Sequence, residues 1–324
     1  MTNPRRAPAT VRRPCLIVAG PTASGKSALA LDVAERFGGV VVNADSMQVY
    51  RELRLVTARP SASDEARAPH RLYGCMDGRE ACSAGRWVNM AAHEIRAAWD
   101  ADRLPVVAGG TGMYIQGLVD GLSPIPDVPA EVRAEALRLH AELGGAGFRR
   151  KLAALDPETA RRLPDGDTQR LIRAWEVTVH TGRPFSQWRD EPRRPVLPEA
   201  RFATIVLTPP RDRLYAAIDR RFAWMVDHGA LDEARALMDL DLDPALPVMK
   251  ALGVPELAAC LSGEVALEDA VARAQKVSRN YAKRQLSWLR TQVKPDLLID
   301  AQYSESFREE IFSFVRRFLL TTGA

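Results

Sequence analysis

A glycine-rich segment near the start of the chain has the residue types and the spacing that bind phosphate groups. Gly20–Ser27, read as GPTASGKS, matches the pattern G-x-x-x-x-G-K-[ST] at every position. In such loops, backbone N–H groups surround phosphate oxygens and the following helix N-terminus adds a favourable dipole. We expect Lys26 to reach phosphate oxygens and Ser27 to ligate Mg²⁺. The phosphate-binding residues predicted from this pattern, which is typical of ATP-binding and other nucleotide-binding proteins, are Gly20, Pro21, Thr22, Ala23, Ser24, Gly25, Lys26 and Ser27.

A carboxylate, Asp45, stands just past a second apolar run, VVV, next to Ser46 and Gln48. In a kinase, an acid at this position serves as the general base for an acceptor hydroxyl or as a metal ligand. An Asx-type turn after a strand is an equally ordinary reason for an aspartate there. Asp45 alone therefore does not decide between these roles.

An arginine inside an apolar helical stripe is a third candidate. In RDRLYAAIDRRFAWMVDHG, Leu214, Ile218, Phe222 and Met225 recur at helical spacing, and Arg221 falls within the same stripe. A guanidinium on a core-facing stripe pairs with an anion or extends its charged end to the surface. With a phosphate loop in the same chain, a diphosphate is a suitable partner for Arg221.

The elements that must position these residues alternate between strands and helices. Apolar runs at Cys15–Ala19, Val40–Val42 and Leu104–Gly112 are separated by predicted helices at Lys26–Phe37 and around Trp87–Trp99. This alternation predicts an α/β fold with a parallel sheet flanked by helices, of the P-loop NTPase type. Because ligands gather at the carboxyl ends of parallel strands, the polar clusters GPTASGKS, NADS and GGTG are expected to share one edge.

The pattern changes after Asp120, where GLSPIPDVP forms a proline-rich hinge. Predicted helices follow at Ala130–Leu143 and Phe148–Leu155, and a third begins after a predicted N-cap at Asp167. We interpret 122–197 as a helical insertion domain within an α/β core made of 15–121 and 198–324. Further strands are predicted at Phe202–Leu207 and Leu297–Ile299, the latter among the C-terminal helices.

Composition limits the class of protein. Apolar residues make up 46% and charged residues 27% of the 324, an ordinary balance for a globular chain. No apolar run approaches the ~18 residues that a membrane span requires, so we expect no membrane association. Residues 1–14 carry four arginines and no acid, and we expect a basic disordered tail rather than a signal peptide. Four cysteines without metal-ligand or disulfide spacing favour a reducing cytoplasmic location. A monomer is the default expectation for the oligomeric state.

Positive charge is concentrated near the C-terminus. Between Val271 and Lys294 there are seven Lys or Arg residues and no acid, although the net charge of the chain is only +4. Such a segment predicts either a polyanionic partner or a solvated helix face. Helical spacing puts Tyr281 and Trp288 on a face that is expected to pack inward. Four cations share another face: Arg273, Lys276, Lys283 and Arg290.

Three functions fit the residues. The first is a small-molecule kinase with ATP in the loop, and the second is a transferase whose donor diphosphate is the leaving group and whose acceptor is RNA. The third is a nucleotide-gated binding module. Polar groups converging at strand ends favour the two enzymes. The basic helix and the insertion of roughly 75 residues, oversized for a kinase lid, favour a large polyanionic acceptor.

Six motifs in a fixed order resemble one known family. From Cys15 to Arg290 the chain is similar to the bacterial tRNA dimethylallyltransferases in GPTASGKS, NADSMQVYRELRLVTARP, APHRLYG, LPVVAGGTGMYIQGLVDGLSPIP, DTQRLIRAWEV and YAKRQLSWLR. The resemblance implies a P-loop-type core with an insertion domain that binds the anticodon stem-loop of tRNA. It also implies transfer of a dimethylallyl group from dimethylallyl diphosphate to N6 of the adenosine 3′ of the anticodon, with Mg²⁺.

The resemblance also implies roles for single residues. Thr22 matches a loop threonine that contacts the diphosphate, Ser27 the Mg²⁺ ligand, and Asp45 the carboxylate that accepts the N6 proton. Ala217 stands where the family has an arginine, so Arg221 contacts the diphosphate alone or with Arg220. The positions implied or predicted to contact tRNA are Asp45, Ser46, Met47, Gln48, Thr111, Arg133, Asp167, Thr168, Gln169, Arg170, Leu171, Lys283 and Arg290.

Overall fold

The computed structural model describes residues 12–321, and within them six parallel strands form one sheet. The strands are β1 (Arg13–Ala19), β2 (Val40–Asn43), β3 (His70–Arg71), β4 (Pro105–Gly109), β5 (Ala200–Leu207) and β6 (Leu297–Ile299). Their order across the sheet is β3-β2-β4-β1-β5-β6. The strands are near-continuous apolar runs because a parallel sheet is covered on both faces. The predicted α/β class with a parallel sheet is confirmed.

The strand boundaries differ from the prediction where β1 pairs with β5. Arg13 pairs with Ala200 and Pro14 with Arg201, and the Arg13 N–H donates to the Glu199 carbonyl at 2.8 Å. Arg13 and Pro14, two residues of the predicted tail, therefore belong to β1, and residues 1–11 of that tail lie outside the described residues. The two-residue strand β3 was not predicted, because two residues carry no periodicity.

Thirteen α-helices lie between and after the strands along residues 12–321. Before Asp120 they are α1 (Lys26–Phe37), α2 (Ala62–Arg67), α3 (Ala84–Asp100) and α4 (Gly112–Val119). The next four are α5 (Ala130–Ala153), α6 (Pro157–Arg162), α7 (Thr168–Thr181) and α8 (Phe185–Arg189). The last five are α9 (Arg211–Asp227), α10 (Ala230–Met238), α11 (Val254–Leu261), α12 (Leu267–Gln292) and α13 (Arg308–Leu320).

The main core lies between one face of the sheet and two helices. Alternate residues of β1, Leu16 and Val18, face the same buried cluster as Leu29 of α1 and Ile311 of α13. Ile17, between them in sequence, is also fully buried but points to the other face. Apolar residues at helical spacing on α1 pack on this sheet, as its sequence predicts.

The chain divides into two compact units. One contains the sheet and comprises the chain up to Val119 and from Val196 onward, and the other is Asp120–Pro195. The second unit contains α5 to α8 and a buried cluster of its own, to which Phe148, Leu171 and Trp175 belong.

Within this second unit, the two helices predicted at Ala130–Leu143 and Phe148–Leu155 are present as two parts of one element. Helix α5 runs from Ala130 to Ala153 with a kink at Gly144, whose backbone is non-helical (φ 64°, ψ 171°). The predicted division into two helices is confirmed by this kink, and the second helix begins a few residues before the predicted Phe148. Asp167 occupies the N-cap position of α7 without a side-chain capping bond, and it pairs instead with Arg170 at 3.2 Å.

A membrane-spanning helix, which needs about 18 apolar residues in succession, is absent from residues 12–321.

Candidate active site

The phosphate loop connects β1 to α1 at the carboxyl edge of the sheet. Gly25 is left-handed, with φ +88°, and a Cβ there would lie 2.8 Å from Cβ of Tyr303. The Ser24 N–H donates to the Pro21 carbonyl at 3.2 Å, which closes the loop on itself. The first N–H groups of α1 have no acceptor within the helix and point toward the loop, as anion binding requires.

Lys26 is the cation at the base of the loop. Its Nζ donates to the Pro21 carbonyl at 3.3 Å. Burial among protein atoms lowers the pKa of Lys26 to about 8, Asp45 opposes this shift, and the positive charge of Arg221 adds to it. A phosphate anion next to Nζ would restore the charged form, because an opposite charge favours it.

Asp45 is held by a buried asparagine that the sequence analysis did not single out. Asn43 is fully buried; its Oδ1 accepts the Asp45 N–H at 2.8 Å, and its Nδ2 donates to the Asp45 carbonyl at 3.0 Å. Trp87 Nε1 donates to the Asn43 carbonyl at 2.9 Å, and Oδ1 of Asp45 accepts the Met47 N–H at 2.9 Å. The Asx turn that the sequence suggests is present, and it fixes the carboxylate in place.

The loop after β4 joins the loop after β2. The Ser46 N–H donates to Oγ1 of Thr111 at 3.0 Å, and the Thr111 N–H donates to the Ala44 carbonyl at 3.2 Å. The structure thus brings two clusters predicted to share one edge, NADS and GGTG, into direct contact.

Arg221 meets the phosphate loop directly. From α9 its Nη2 donates to Oγ1 of Thr22, so the two residues predicted to bind the diphosphate touch each other. Burial lowers the pKa of Arg221, and Asp45 partly offsets the shift. The helical stripe that predicted an inward Arg221 is confirmed, since Ile218 and Phe222 beside it are buried.

These side chains line one cavity of about 270 Å³ within the sheet-containing unit. Its polar side includes Thr22, Asp45 and Arg221. Its apolar residues are Met47, Val56, Ile218, Phe222, Met225 and Leu252. Lining residues that were not predicted as site residues are Val56, Thr57, Ile218, Phe222, Met225, Lys250, Leu252, Ser278, Tyr281 and Arg284. Burial, and secondarily the Asp45 charge, raises the pKa of Tyr281 well above its usual value.

A second, more open groove of about 540 Å³ lies along the phosphate loop. Lys26 and Ser27 line it together with Arg220, Arg221 and Trp224. Arg221 lines both this groove and the cavity, whereas Arg220 is exposed and lines only the groove. A phosphate in the loop could therefore be reached by either arginine, but only Arg221 also reaches the space next to Asp45.

The loop that carries Val56 and Thr57 is anchored from a helix distant in sequence. The Glu233 carboxylate of α10 accepts the N–H groups of Arg54, Leu55 and Val56, at 2.5, 2.8 and 2.7 Å. The Gln48 side chain, predicted to contact tRNA, donates Nε2 to the Thr57 carbonyl at 2.8 Å. No pattern of residues around Glu233 indicated this role, since an isolated helical glutamate is ordinarily solvated.

The basic face predicted near the C-terminus is present on α12. Arg273, Lys276, Lys283 and Arg290 are all exposed, and Tyr281 and Trp288 are partly buried. Lys283 and Arg290 line a surface cavity of about 690 Å³ together with Arg211. The inward face of α12 packs on α9 through Ala282 and Leu286.

In the unit Asp120–Pro195, the predicted tRNA-contacting residues occupy different environments. Arg133 Nη1 lies 3.4 Å from the buried Glu176 carboxylate, with the arginine side chain 58% exposed. Arg170 is exposed at the start of α7. Leu171 is fully buried in the core of the unit, so its side chain supports the fold and does not face a partner.

The described residues offer a metal ion few protein ligands. Within residues 12–321, no group of three or more His, Cys, Asp or Glu side chains is arranged to hold one. The exposed Ser27 hydroxyl lines the groove beside Lys26. Mg²⁺ prefers to keep several waters and to bind substrate phosphates with few protein groups. This donor set therefore fits Mg²⁺ bound together with a diphosphate.

Comparison with known proteins gives concordant results. The family model described as IPP transferase matches residues 48–292. A tRNA dimethylallyltransferase of Rhodospirillum centenum is 58% identical over 286 residues, which are 88% of this chain and 90% of that protein. That of Rhodospirillum rubrum is 52% identical over 326 residues, 99% of each chain.

Solved structures agree with these relatives. A tRNA isopentenylpyrophosphate transferase from Bacillus halodurans is 30% identical with a TM-score of 0.69, covering 96% of this chain and 98% of that one. A eukaryotic dimethylallyltransferase acting on tRNA is 25% identical with a TM-score of 0.80, covering 95% and 80%. Since the family model and the curated relatives span most of its length, the chain belongs to the IPP transferase family, that of the tRNA dimethylallyltransferases.

Proposed function

We propose that this enzyme transfers a dimethylallyl group from dimethylallyl diphosphate to N6 of the adenosine immediately 3′ of the anticodon in tRNA, releasing diphosphate. The observation that carries the proposal is the composition of one cavity, where Thr22 and Arg221 meet Asp45 and an apolar wall. A diphosphate, a proton-bearing amine and a five-carbon chain each find a suited partner there. The polar hydroxyl compound that a kinase phosphorylates would gain little from packing against the apolar wall formed by Phe222 and Met225.

The donor half of the reaction belongs to the phosphate loop. As the allylic C–O bond breaks, its electron pair stays on the diphosphate oxygen, and negative charge grows there. Lys26, Arg221 and the Thr22 hydroxyl are placed to stabilise that charge. The apolar residues of the cavity would hold the hydrocarbon and exclude water from the allylic carbon.

The acceptor half belongs to Asp45. The adenine N6 lone pair forms the new C–N bond to the allylic carbon, and one N6 proton passes to the Asp45 carboxylate. The Asn43 side chain donates to the Asp45 carbonyl, and the Met47 N–H donates to Oδ1 of Asp45. These bonds fix the Asp45 carboxylate in the wall of the cavity. The base must leave its stack to reach this cavity, as enzymes acting on a base require.

Magnesium would be held by the Ser27 hydroxyl and by the diphosphate itself. When bound, it supplies charge neutralisation to the leaving group. The groove lined by Lys26, Ser27 and Arg220 provides room for it beside the loop.

Transfer RNA would be held by surfaces outside the cavity. Ser46, Met47, Gln48 and Thr111 surround Asp45, and Lys283 and Arg290 extend the positive charge along α12. We assign anticodon-arm binding to the unit Asp120–Pro195, with Arg133 and the exposed residues of Asp167–Arg170 as contacts. RNA recognition of this kind uses phosphate contacts and a loop whose bases can be splayed out.

The test incubates the protein with unmodified tRNA and either labelled dimethylallyl diphosphate or γ-labelled ATP. We expect label in the RNA from the first donor only. Label transferred from ATP to a small molecule would replace the proposal with the kinase alternative.

Asp45→Ala examines the proton acceptor separately. We expect nearly unchanged tRNA binding and a loss of transfer of at least about a hundredfold. Asp45→Asn, which keeps shape and loses basicity, should be equally inactive. An active Asp45→Asn enzyme would remove Asp45 from this role.

A further inference from the structure

A buried glutamine on α12 connects two loops of the candidate active site. Gln285 is 5% exposed. Its Oε1 accepts the Thr22 N–H at 2.8 Å, and its Nε2 donates to the Gly110 carbonyl at 3.0 Å. Thr22 follows β1 and Gly110 follows β4, and these two strands are neighbours in the sheet.

The contact is tight as well as specific. A Cβ on Gly110 would lie 2.2 Å from Nε2 of Gln285, so the loop approaches the amide as closely as a glycine allows. One backbone donor and one backbone acceptor end at the same buried point. Among side chains of this size, a neutral amide satisfies both, because it presents a carbonyl oxygen and an NH₂ together.

The consequence reaches the groups that act on the substrate. Binding of the Thr22 N–H by Gln285 fixes the backbone from which the Thr22 hydroxyl meets Arg221. The other bond fixes Gly110, whose neighbour Thr111 holds the Ser46 N–H beside Asp45. Gln285 thus connects the diphosphate side of the cavity to the carboxylate side, although it does not itself line the cavity.

We propose that Gln285 is a positioning residue for prenyl transfer: its amide holds Thr22 and the Gly110–Thr111 loop in the one arrangement that places Arg221 and Asp45 on opposite sides of the reacting atoms. The proposal rests on the proposed function for its catalytic reading. Its effect on the phosphate loop is independent of that function.

Gln285→Glu gives a test that a general loss of packing would not reproduce. An ionised glutamate still accepts the Thr22 N–H but can no longer donate to the Gly110 carbonyl, and it places a charge against that oxygen. A protonated glutamate restores both bonds. Two groups near this position favour ionisation less strongly than burial opposes it: the Tyr281 hydroxyl, which hydrogen-bonds to the side chain, and the Arg221 guanidinium on the other side of Thr22. Because burial raises the pKa of a carboxyl group and is the larger effect here, the glutamate should recover its proton as the pH falls from about 8.5 to about 6.

We expect kcat of Gln285→Glu, divided by that of the unsubstituted enzyme at each pH, to rise by roughly tenfold or more between about pH 8.5 and pH 6. Gln285→Met, which keeps the volume and loses both bonds, should have a low ratio that does not change with pH. The folded fraction of each variant, measured by circular dichroism at the same pH values, corrects for unfolding.

Gln275→Glu is the matched control, because Gln275 lies on the same helix and its Nε2 bonds to the Asp219 carbonyl at 3.1 Å. Its activity ratio should be flat with pH. A flat ratio for Gln285→Glu, or wild-type kcat in Gln285→Met, would overturn the proposal.

Calorimetric titration with inorganic pyrophosphate separates this inference from the proposed function. We expect the affinity of Gln285→Glu, relative to the unsubstituted enzyme, to recover at low pH in parallel with its activity. Were the unsubstituted enzyme to transfer no prenyl group while this recovery was still seen, the proposed function would fail and the positioning of the loop would stand. Pyrophosphate affinity that ignores both substitutions would refute the positioning itself.

Discussion

Arg221 is a charged side chain within an otherwise apolar helical stripe. Its neighbours Ile218 and Phe222 are buried, yet its guanidinium reaches the Thr22 hydroxyl and lines the space next to Asp45. Burial lowers the pKa of Arg221, and Asp45 compensates its charge only in part. A bound diphosphate would balance the rest of the Arg221 charge, so this position is well suited to bind an anion.

Arg221→Ala should therefore lower kcat for prenyl transfer by about 10²–10³-fold, because in the proposed mechanism it removes a donor to the leaving group. The dissociation constant for tRNA should change by less than about threefold. Single-turnover transfer and filter binding measure the two quantities.

Arg220→Ala is the paired variant, and it should lose much less activity, since Arg220 does not line the cavity. Equal loss of transfer and tRNA binding in Arg221→Ala would indicate a structural role.

We expect Lys26 to make donor binding depend on pH. With a pKa of about 8 in the free enzyme, Lys26 is mostly charged below pH 8 and loses its proton as the pH rises further. A bound diphosphate favours the charged form, so affinity should fall by about fivefold between about pH 8 and pH 9. Titration with dimethylallyl diphosphate measures this fall.

Lys26→Arg keeps its charge throughout that range, and its donor affinity should not show the alkaline decline. A decline of the same size in Lys26→Arg would assign the titration to another group.

At the scale of elements, α12 has two faces of different chemistry. Its inward face packs Ala282 and Leu286 on α9 and sends Gln285 to the strand-end loops. Its outward face carries Lys283 and Arg290, both exposed. The helical period alone separates these two sets of residues, because residues three or four apart share a face.

The double variant Lys283→Ala, Arg290→Ala should weaken tRNA binding and make it less sensitive to salt. Loss of two phosphate contacts should reduce the slope of log K against log salt by about 1.5 to 2. Arg103→Ala, another exposed cation, serves as the control with an unchanged slope. A double variant that keeps the original slope would show that Lys283 and Arg290 are solvent-exposed cations that do not contact tRNA.

At the scale of the whole molecule, each compact unit has a buried cluster of its own. The sheet unit has its core against α1 and α13, and the unit Asp120–Pro195 has another around Phe148 and Trp175. The second unit also depends on a fully buried carboxylate, Asp156. Asp156 accepts four hydrogen bonds, from the N–H and hydroxyl of Thr159 and of Ser186, at 2.7 to 3.0 Å.

Burial alone would raise the pKa of Asp156, but these bonds outweigh it and hold that pKa below its usual value. The stabilisation is thus present above the unfolded pKa of about 3.9, and it is lost as the pH falls through the lower folded value.

Asp156→Asn should destabilise this unit by about 2–4 kcal/mol at neutral pH, because an amide leaves some of the four donors unsatisfied. Urea unfolding followed by tryptophan fluorescence, with Trp175 inside the unit, measures the loss. Binding of dimethylallyl diphosphate at room temperature should be unchanged, since the candidate donor site lies in the other unit. Asp127→Asn, at an exposed acid of the same unit, should cost less than about 0.5 kcal/mol. A free energy of unfolding that is equal in both variants would contradict the role of Asp156.

Local pattern was sufficient for most of the elements and for the position of the phosphate loop between β1 and α1. The motif at Gly20–Ser27, the apolar runs of the strands and the stripe around Arg221 depend on neighbours along the chain, and such neighbours are visible in the sequence. The same is true of the exposed cations of α12. The early start of β1 was missed, because a strand partner far along the chain leaves no local trace.

Only the tertiary structure decided which distant groups hold the site in place. Asn43 beneath Asp45, Glu233 on the loop at Arg54–Val56, and Gln285 between Thr22 and Gly110 all act on backbone atoms. A backbone N–H or carbonyl is the same at every residue, so the sequence carries no sign of which side chain satisfies it. Which polar groups meet depends on how the strand ends and helices pack, and that is settled only when the sheet has formed.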